Sequence, residues 1–247
     1  MPILTEVLER YRAEQIIEHK RKEIQLRIRN FNVTVQTFRW VRACQHDNPA
    51  FLPTTVDFAY IEPFKSLLDL ELSPDSVLLN TPSSPEILSR ITLASETWRT
   101  DIDKRLAALI GTPDGIAPNE SLLMLAFVAF DCKRCNKVSI EYPDVIAHRC
   151  AYTRSEPSSR SDTLLLREIG LQTDRRLPWS CKHLVLSTGN RLEARRKAII
   201  ACGLDPLVTT RQIIDDLDPR LSCRMCEDGA KKRVMTWRSA VRFTHKC

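Results

Sequence analysis

Only six glycines punctuate the 247 residues. None of them forms the Gly-rich loop with which nucleotide-binding folds cradle phosphate, so a nucleotide fold is not expected. Long apolar runs are missing as well. The longest, Leu122 to Phe130, falls well short of the roughly 18 residues needed to cross a bilayer, so no membrane association is expected. The opening Met1-Pro2-Ile3-Leu4 turns charged at once, without the apolar core of a secretory signal. These absences predict an intracellular protein, nuclear or cytoplasmic, in a compartment that keeps thiols reduced. Nine cysteines in such a place need an explanation other than disulfides, and metal binding is the leading one.

What is present is charge, unevenly spread. Residues 1–43 carry 9 basic and 5 acidic groups, residues 44–131 carry 5 and 13, and residues 132–247 carry 23 and 13. The net values, +4, −8 and +10, divide the chain into an acidic-to-mixed region, 1–131, and a basic region, 132–247. The first region reads as mostly helical. Leu4, Val7, Leu8 and Tyr11 keep the spacing of one helix face, and Ile24, Ile28 and Phe31 resume it. His19-Lys20-Arg21-Lys22 between them reads as a solvated helix face. Phe38, Trp40 and Val41 suggest a second helical segment ended by Pro49 and Pro53. A further helix is expected after Ser84, with Pro85 in its first turn, an apolar stripe from Ile87 to Ile110 and Gly111 as its stop. The apolar run from Glu120 to Phe130 is read as another helix leading into Cys132. Later helices are expected over 191–202 with Asn190 as cap, over 211–217 behind Thr209 or Thr210, and after Thr236.

The basic region holds two modules of one ligand order. Cys132-Lys133-Arg134-Cys135 is followed after twelve residues by His148-Arg149-Cys150, and Cys223-Arg224-Met225-Cys226 after eighteen by His245-Lys246-Cys247. A Cys-x2-Cys turn lets two sulfurs converge on one ion, and a second pair brought back by a short excursion completes a tetrahedron. The expected ligands are therefore Cys132, Cys135, His148 and Cys150 for one zinc ion and Cys223, Cys226, His245 and Cys247 for another. Four protein ligands leave no open position, so each site is structural rather than hydrolytic, and no catalytic residue is assigned.

Other short units bear on the pairing. Cys181-Lys182-His183 can supply alternative ligands in a cross-braced arrangement. A RING finger would need more cysteine soon after that histidine, and Leu184-Val185-Leu186 follows instead. Cys44-Gln45-His46 reads as a loop after a helix, and Cys202, beside Ile199 and Ile200, as core. Basic side chains within or beside the modules, Lys133, Arg134, Arg149, Lys231, Lys232 and Arg233, are candidate phosphate contacts. Aromatic support for base stacking is thin: Tyr142, Trp179 and Trp237.

Several stretches in combination resemble a family of zinc-containing proteins of mushroom-forming fungi, which often carry an F-box-like segment near the N-terminus. They are Phe130-Asp131-Cys132-Lys133-Arg134-Cys135, Tyr142-Pro143-Asp144-Val145-Ile146-Ala147-His148-Arg149-Cys150, Cys202-Gly203-Leu204-Asp205-Pro206 with Thr209-Thr210, Asp218-Pro219-Arg220 leading to Cys223-Arg224-Met225-Cys226, and Met235-Thr236-Trp237-Arg238-Ser239-Ala240-Val241. Ile61-Glu62-Pro63-Phe64 and the Trp98 helix look similar too, so the likeness runs from about residue 55 onward. In the family a histidine usually stands where this chain has Phe243, and the Leu-Pro pair of an F-box is absent from residues 1–43. The resemblance implies a zinc-containing interaction region, with a ubiquitin-ligase substrate adaptor as a more distant implication.

The expectation as a whole is a mainly α fold with small, irregular, zinc-stapled α+β elements. Its expected function is a non-enzymatic interaction protein with a protein partner; nucleic-acid binding through the basic region is the alternative.

Overall fold

A computed structural model describes residues 2–62, 64–68, 85–111, 119–153, 177–222 and 234–242. The described chain is mainly helical with two small antiparallel sheets. It divides into two compact units, Met1–Arg99 with Tyr152–Trp179, and Thr100–Ala151 with Ser180–Cys247. The charge boundary near residue 131 is thus one of composition and does not coincide with the division of the fold. No helix among the described residues is long and apolar enough to cross a membrane.

In the first unit the two helical segments expected before Pro49 are one helix, α1, Pro2–Cys44. Neither proline nor glycine occurs between Ile3 and Asn48, so nothing in the backbone interrupts it. Ile28, Phe31, Val35 and Phe38 continue a single buried face across the expected break. Beyond α1, Thr54 opens α2, Thr55–Ala59, through a capping box in which its hydroxyl accepts from the Asp57 N–H and the Asp57 carboxylate accepts from the Thr54 N–H. The other Asp57 oxygen accepts from the Trp179 backbone N–H at 2.7 Å, which ties the returning segment to this turn. Phe58 of α2 and Phe64 of α3, Phe64–Leu68, meet edge to face at 5.7 Å, and Phe31 lies 5.3 Å from Phe64. Ile87, Ile91 and Ala94 of α4, Pro85–Ile110, close this core. The expected stripe of α4 is buried through Trp98, Ile102, Leu106 and Ile110, and Gly111, at φ +74°, ends the helix. Ser84, expected as its cap, lies outside the described residues.

In the second unit the stretch Glu120–Phe130 is not the expected helix. Asn119 caps only a 3-10 turn, Glu120–Met124, and a second turn follows at Ala126–Phe127, closed by the Val128 N–H on the Leu125 carbonyl at 3.1 Å. Ala126 N–H donates to the Thr209 carbonyl at 2.9 Å, and Phe130 exchanges backbone hydrogen bonds with Ile140 at 2.8 and 2.7 Å. Every residue from Leu125 to Phe130 is buried, so the segment has no solvent side for a helix to present. Phe130–Cys132 forms β1, which pairs antiparallel with β2, Leu184–Leu186, Cys132 opposite Leu184. Helix α5, Asn190–Ala201, starts behind Gly189 without a side-chain cap, so Asn190 is its first residue rather than its cap. Thr210 does cap α6, Arg211–Leu217, accepting from the Ile213 N–H. Strands β3, Arg220–Ser222, and β4, Val234–Thr236, pair antiparallel, and Thr236 caps α7, Trp237–Arg242, by accepting from Ser239 N–H.

A polar network crosses this second core. Arg195 of α5 is 1% exposed, donates to the Ala126 carbonyl at 3.2 Å and pairs with Glu141 at 2.9 Å. The second Glu141 oxygen takes Arg238 of α7 at 3.1 Å, and Arg238 grips Asp215 of α6 through two nitrogens. Trp237 Nε1 donates to the same Asp215 at 2.8 Å. Glu141 thus stands between a buried and an exposed cation. Removing a buried carboxylate leaves Arg195 charged and unpaired, which costs about 3–5 kcal/mol. Glu141→Ala should lower stability by that amount in denaturant unfolding, and Arg238→Ala, at the exposed end, by much less. Equal losses would place the energy of the network at its surface.

Candidate metal centre

Four side chains of the second unit converge. The ligand atoms of Cys132, Cys135, His148 and Cys150 all lie within 4.8 Å of one another. Each is delivered by a local device. Cys132 closes β1, fixed by its pairing to β2. Its N–H donates to the Lys137 carbonyl at 2.8 Å, and the Lys133 N–H donates to the His183 carbonyl at 2.9 Å, so the turn after β1 is held on two sides. Asn136, at φ +57°, takes the left-handed conformation that reverses the chain just past Cys135. Asparagine accepts that conformation more readily than most residues, a signal available in the sequence and passed over in reading it. The excursion back is anchored by fully buried Val145 and Ile146 and by the Val145 N–H to Glu141 carbonyl bond at 2.9 Å. His148 follows, buried, and Cys150 sits on the 3-10 turn Arg149–Tyr152.

The distances suit an ion. A tetrahedron with sulfur about 2.3 Å and nitrogen about 2.0 Å from its centre has edges of roughly 3.5–3.8 Å. Cys135 Sγ and His148 Nε2 are 3.5 Å apart. The electrostatics point the same way. The Lys137 backbone N–H directed at the Cys135 sulfur holds that thiol below its ordinary range. Burial, and then the Cys135 and Cys132 sulfurs beside it, push the Cys150 thiol up to about 11. Burial, with the Lys137 charge adding to it, holds His148 below the usual imidazole value, in the neutral form a metal needs. A cation beside the Cys150 sulfur would reverse that rise. Three sulfurs and one nitrogen form a donor set for a borderline or soft metal rather than magnesium or calcium.

Cys181 and His183, the alternative ligands, are not in the cluster; His183 supports it through its backbone carbonyl. The six described cysteines form no disulfide. Cys202 is half-buried, its thiol against the Ala198 carbonyl at 3.1 Å, away from the four ligands. Cys223, Cys226, His245 and Cys247 lie outside the described residues, as do Lys231, Lys232 and Arg233. Lys133, Arg134 and Arg149 are exposed around the first centre. Asp131, missed in reading the sequence, braces it from behind: its carboxylate takes the Ser139 N–H at 2.9 Å, the Ser187 hydroxyl at 2.5 Å and Arg191 at 2.7 Å. No family model, curated protein or solved structure matches this chain.

Cobalt(II) titration should give the intense visible bands of a tetrahedral thiolate site. Cys135→Ser should remove the contribution of this centre, and Cys202→Ser should leave it whole. The pH dependence has a definite sign. Cys150 stays protonated up to about 11 without metal, so binding must expel its proton, and affinity gains about tenfold per pH unit for that proton alone. Affinity that does not rise from pH 6 to pH 8 would mean Cys150 is not a ligand.

Proposed function

We propose that this protein is a zinc-stabilised interaction protein without catalytic activity of its own. The observation that supports this reading is the closure of the Cys132, Cys135, His148 and Cys150 set: four protein ligands fill a tetrahedron and leave no position for water or substrate. Zinc is the metal that suits three thiolates and an imidazole in a reducing compartment. The second module, Cys223, Cys226, His245 and Cys247, repeats the ligand order and takes a second ion. The short elements around the first set support a stapling role, because strands of three residues are marginal alone and draw their order from what pins them. Binding free energy on the order of 10–16 kcal/mol, as in zinc-finger peptides, exceeds the net stability of most domains.

Elemental analysis of protein purified without added metal should give two zinc ions per chain. Chelation should unfold the zinc-bearing part, read as loss of its circular dichroism and of protease resistance. Zero metal would overturn the proposal, and one ion would confine it to the first centre.

A second reading, nucleic-acid binding, is favoured by exposed Lys133, Arg134 and Arg149 beside the metal turns. Binding through them is sequence-independent and electrostatic, so it should weaken steeply as salt rises in titrations with short single-stranded and duplex oligonucleotides. No binding at low salt leaves a protein partner as the reading.

A further inference from the structure

Helix α1 carries two apolar stripes, and its fold uses one. At about 100° per residue, Ile24, Ile28, Phe31, Val35 and Phe38 share one sector and form or flank the core of the first unit. Val7, Leu8, Tyr11, Leu26, Val33 and Trp40 share another, about 150° round the helix, and all six are exposed, Trp40 by 68%. Every described side chain from Glu6 to Glu23 is exposed as well. A helix of 43 residues is about 64 Å long, and its first half contributes nothing to the core that holds the second. Most helical stability in proteins comes from packing of an apolar face, and such a solvated arm is marginal on propensity alone.

The charges on α1 say what covers the second stripe. From Glu6 to Glu18 the helix has four carboxylates against two guanidinium groups; from His19 to Arg42 it has seven cations against one carboxylate. Two such helices side by side in parallel set like charge on like along their whole length. Turned antiparallel, the acidic end of one lies on the basic end of the other. The same turn brings Val7, Leu8 and Tyr11 of one copy to Val33 and Trp40 of the other. There Asn32, Val33, Gln36, Thr37 and Trp40 line a shallow depression of about 350 Å³ that can take a large side chain. Six large side chains, each covering on the order of 100 Å², supply most of the roughly 800 Å² per partner that a stable interface buries.

We propose that the chain forms a homodimer through antiparallel pairing of α1 with α1 of a second copy. The pairing is distinct from the metal centre and stands whether or not that centre is loaded.

The full zinc-loaded chain should show twice its 28.4 kDa mass by light scattering after size exclusion. Trp40→Glu, and separately Tyr11→Glu, should return it to monomer, with helical circular dichroism and cobalt binding unchanged; both side chains are exposed, so neither variant threatens the fold. Leu93→Glu, equally exposed on α4, should leave the dimer intact. Cys44 reports the orientation. Its thiol is exposed at the end of α1, so in-register parallel pairing sets two Cys44 together, whereas antiparallel pairing holds them roughly 60 Å apart. Mild oxidation should therefore give no interchain disulfide that Cys44→Ser abolishes. A monomer at all concentrations, a dimer indifferent to Trp40→Glu and Tyr11→Glu, or a Cys44-linked dimer would overturn the proposal.

Discussion

Three sulfur atoms and an imidazole nitrogen held within 4.8 Å of one another are an arrangement the polypeptide has little reason to adopt by itself. Burial, with the Cys135 and Cys132 sulfurs adding to it, pushes the Cys150 thiol up to about 11 in the absence of a counter-charge. Around this knot stand two strands of three residues and a handful of turns, none long enough to be stable alone. The surrounding chain nevertheless spends specific interactions on placing it: Asp131 behind β1, the His183 carbonyl under Lys133, and the Asn136 reversal beyond Cys135. A cation at the centre would give those placements a purpose, since it would replace mutual repulsion with four bonds.

The buried network of the same unit obeys a similar logic with side-chain charges. Arg195 is as buried as Leu68 or Leu123, and the Ala126 carbonyl and Glu141 take its two terminal nitrogens. Ion pairs of this depth contribute little net stability compared with a well-packed apolar alternative. What they do supply is placement: the residue that answers Arg195 also begins the excursion that returns His148 to the sulfurs, through the Val145 N–H on the Glu141 carbonyl. The metal ligands and the salt bridge therefore share one loop, and an error in either is felt by both.

Local chemistry is what the sequence made legible. The stop at Gly111 and the caps at Thr210 and Thr236 depend on one or two residues each, and they stand as read. The first ligand set needed only the reach of a Cys-x2-Cys turn and a short return. Misreadings came where distant partners decide. Leu125 to Phe130 has the composition of a helix, but Thr209 and Ile140 claim its backbone hydrogen bonds. The return of Tyr152–Trp179 to the first unit, marked by the Trp179 N–H on Asp57, has no local signature at all. Nor does a buried arginine announce itself: Arg195 sits among Arg191, Arg196 and Lys197 and differs from them only in what it meets.

Helix α1 shows a subtler limit of periodicity. The spacing of Leu4, Val7, Leu8 and Tyr11 and that of Ile24, Ile28 and Phe31 were each sufficient to declare a helix, and the helix is there. The two sets do not lie on one face, however. The second is continuous with the core and the first with Val33 and Trp40, so averaging apolar character around the helix nearly cancels it. A weakly amphipathic helix and a helix with two opposed apolar stripes look alike to any single-period average. They differ in what they demand: the first can remain in solvent, whereas the second must be covered on both sides to remove its apolar surface from water.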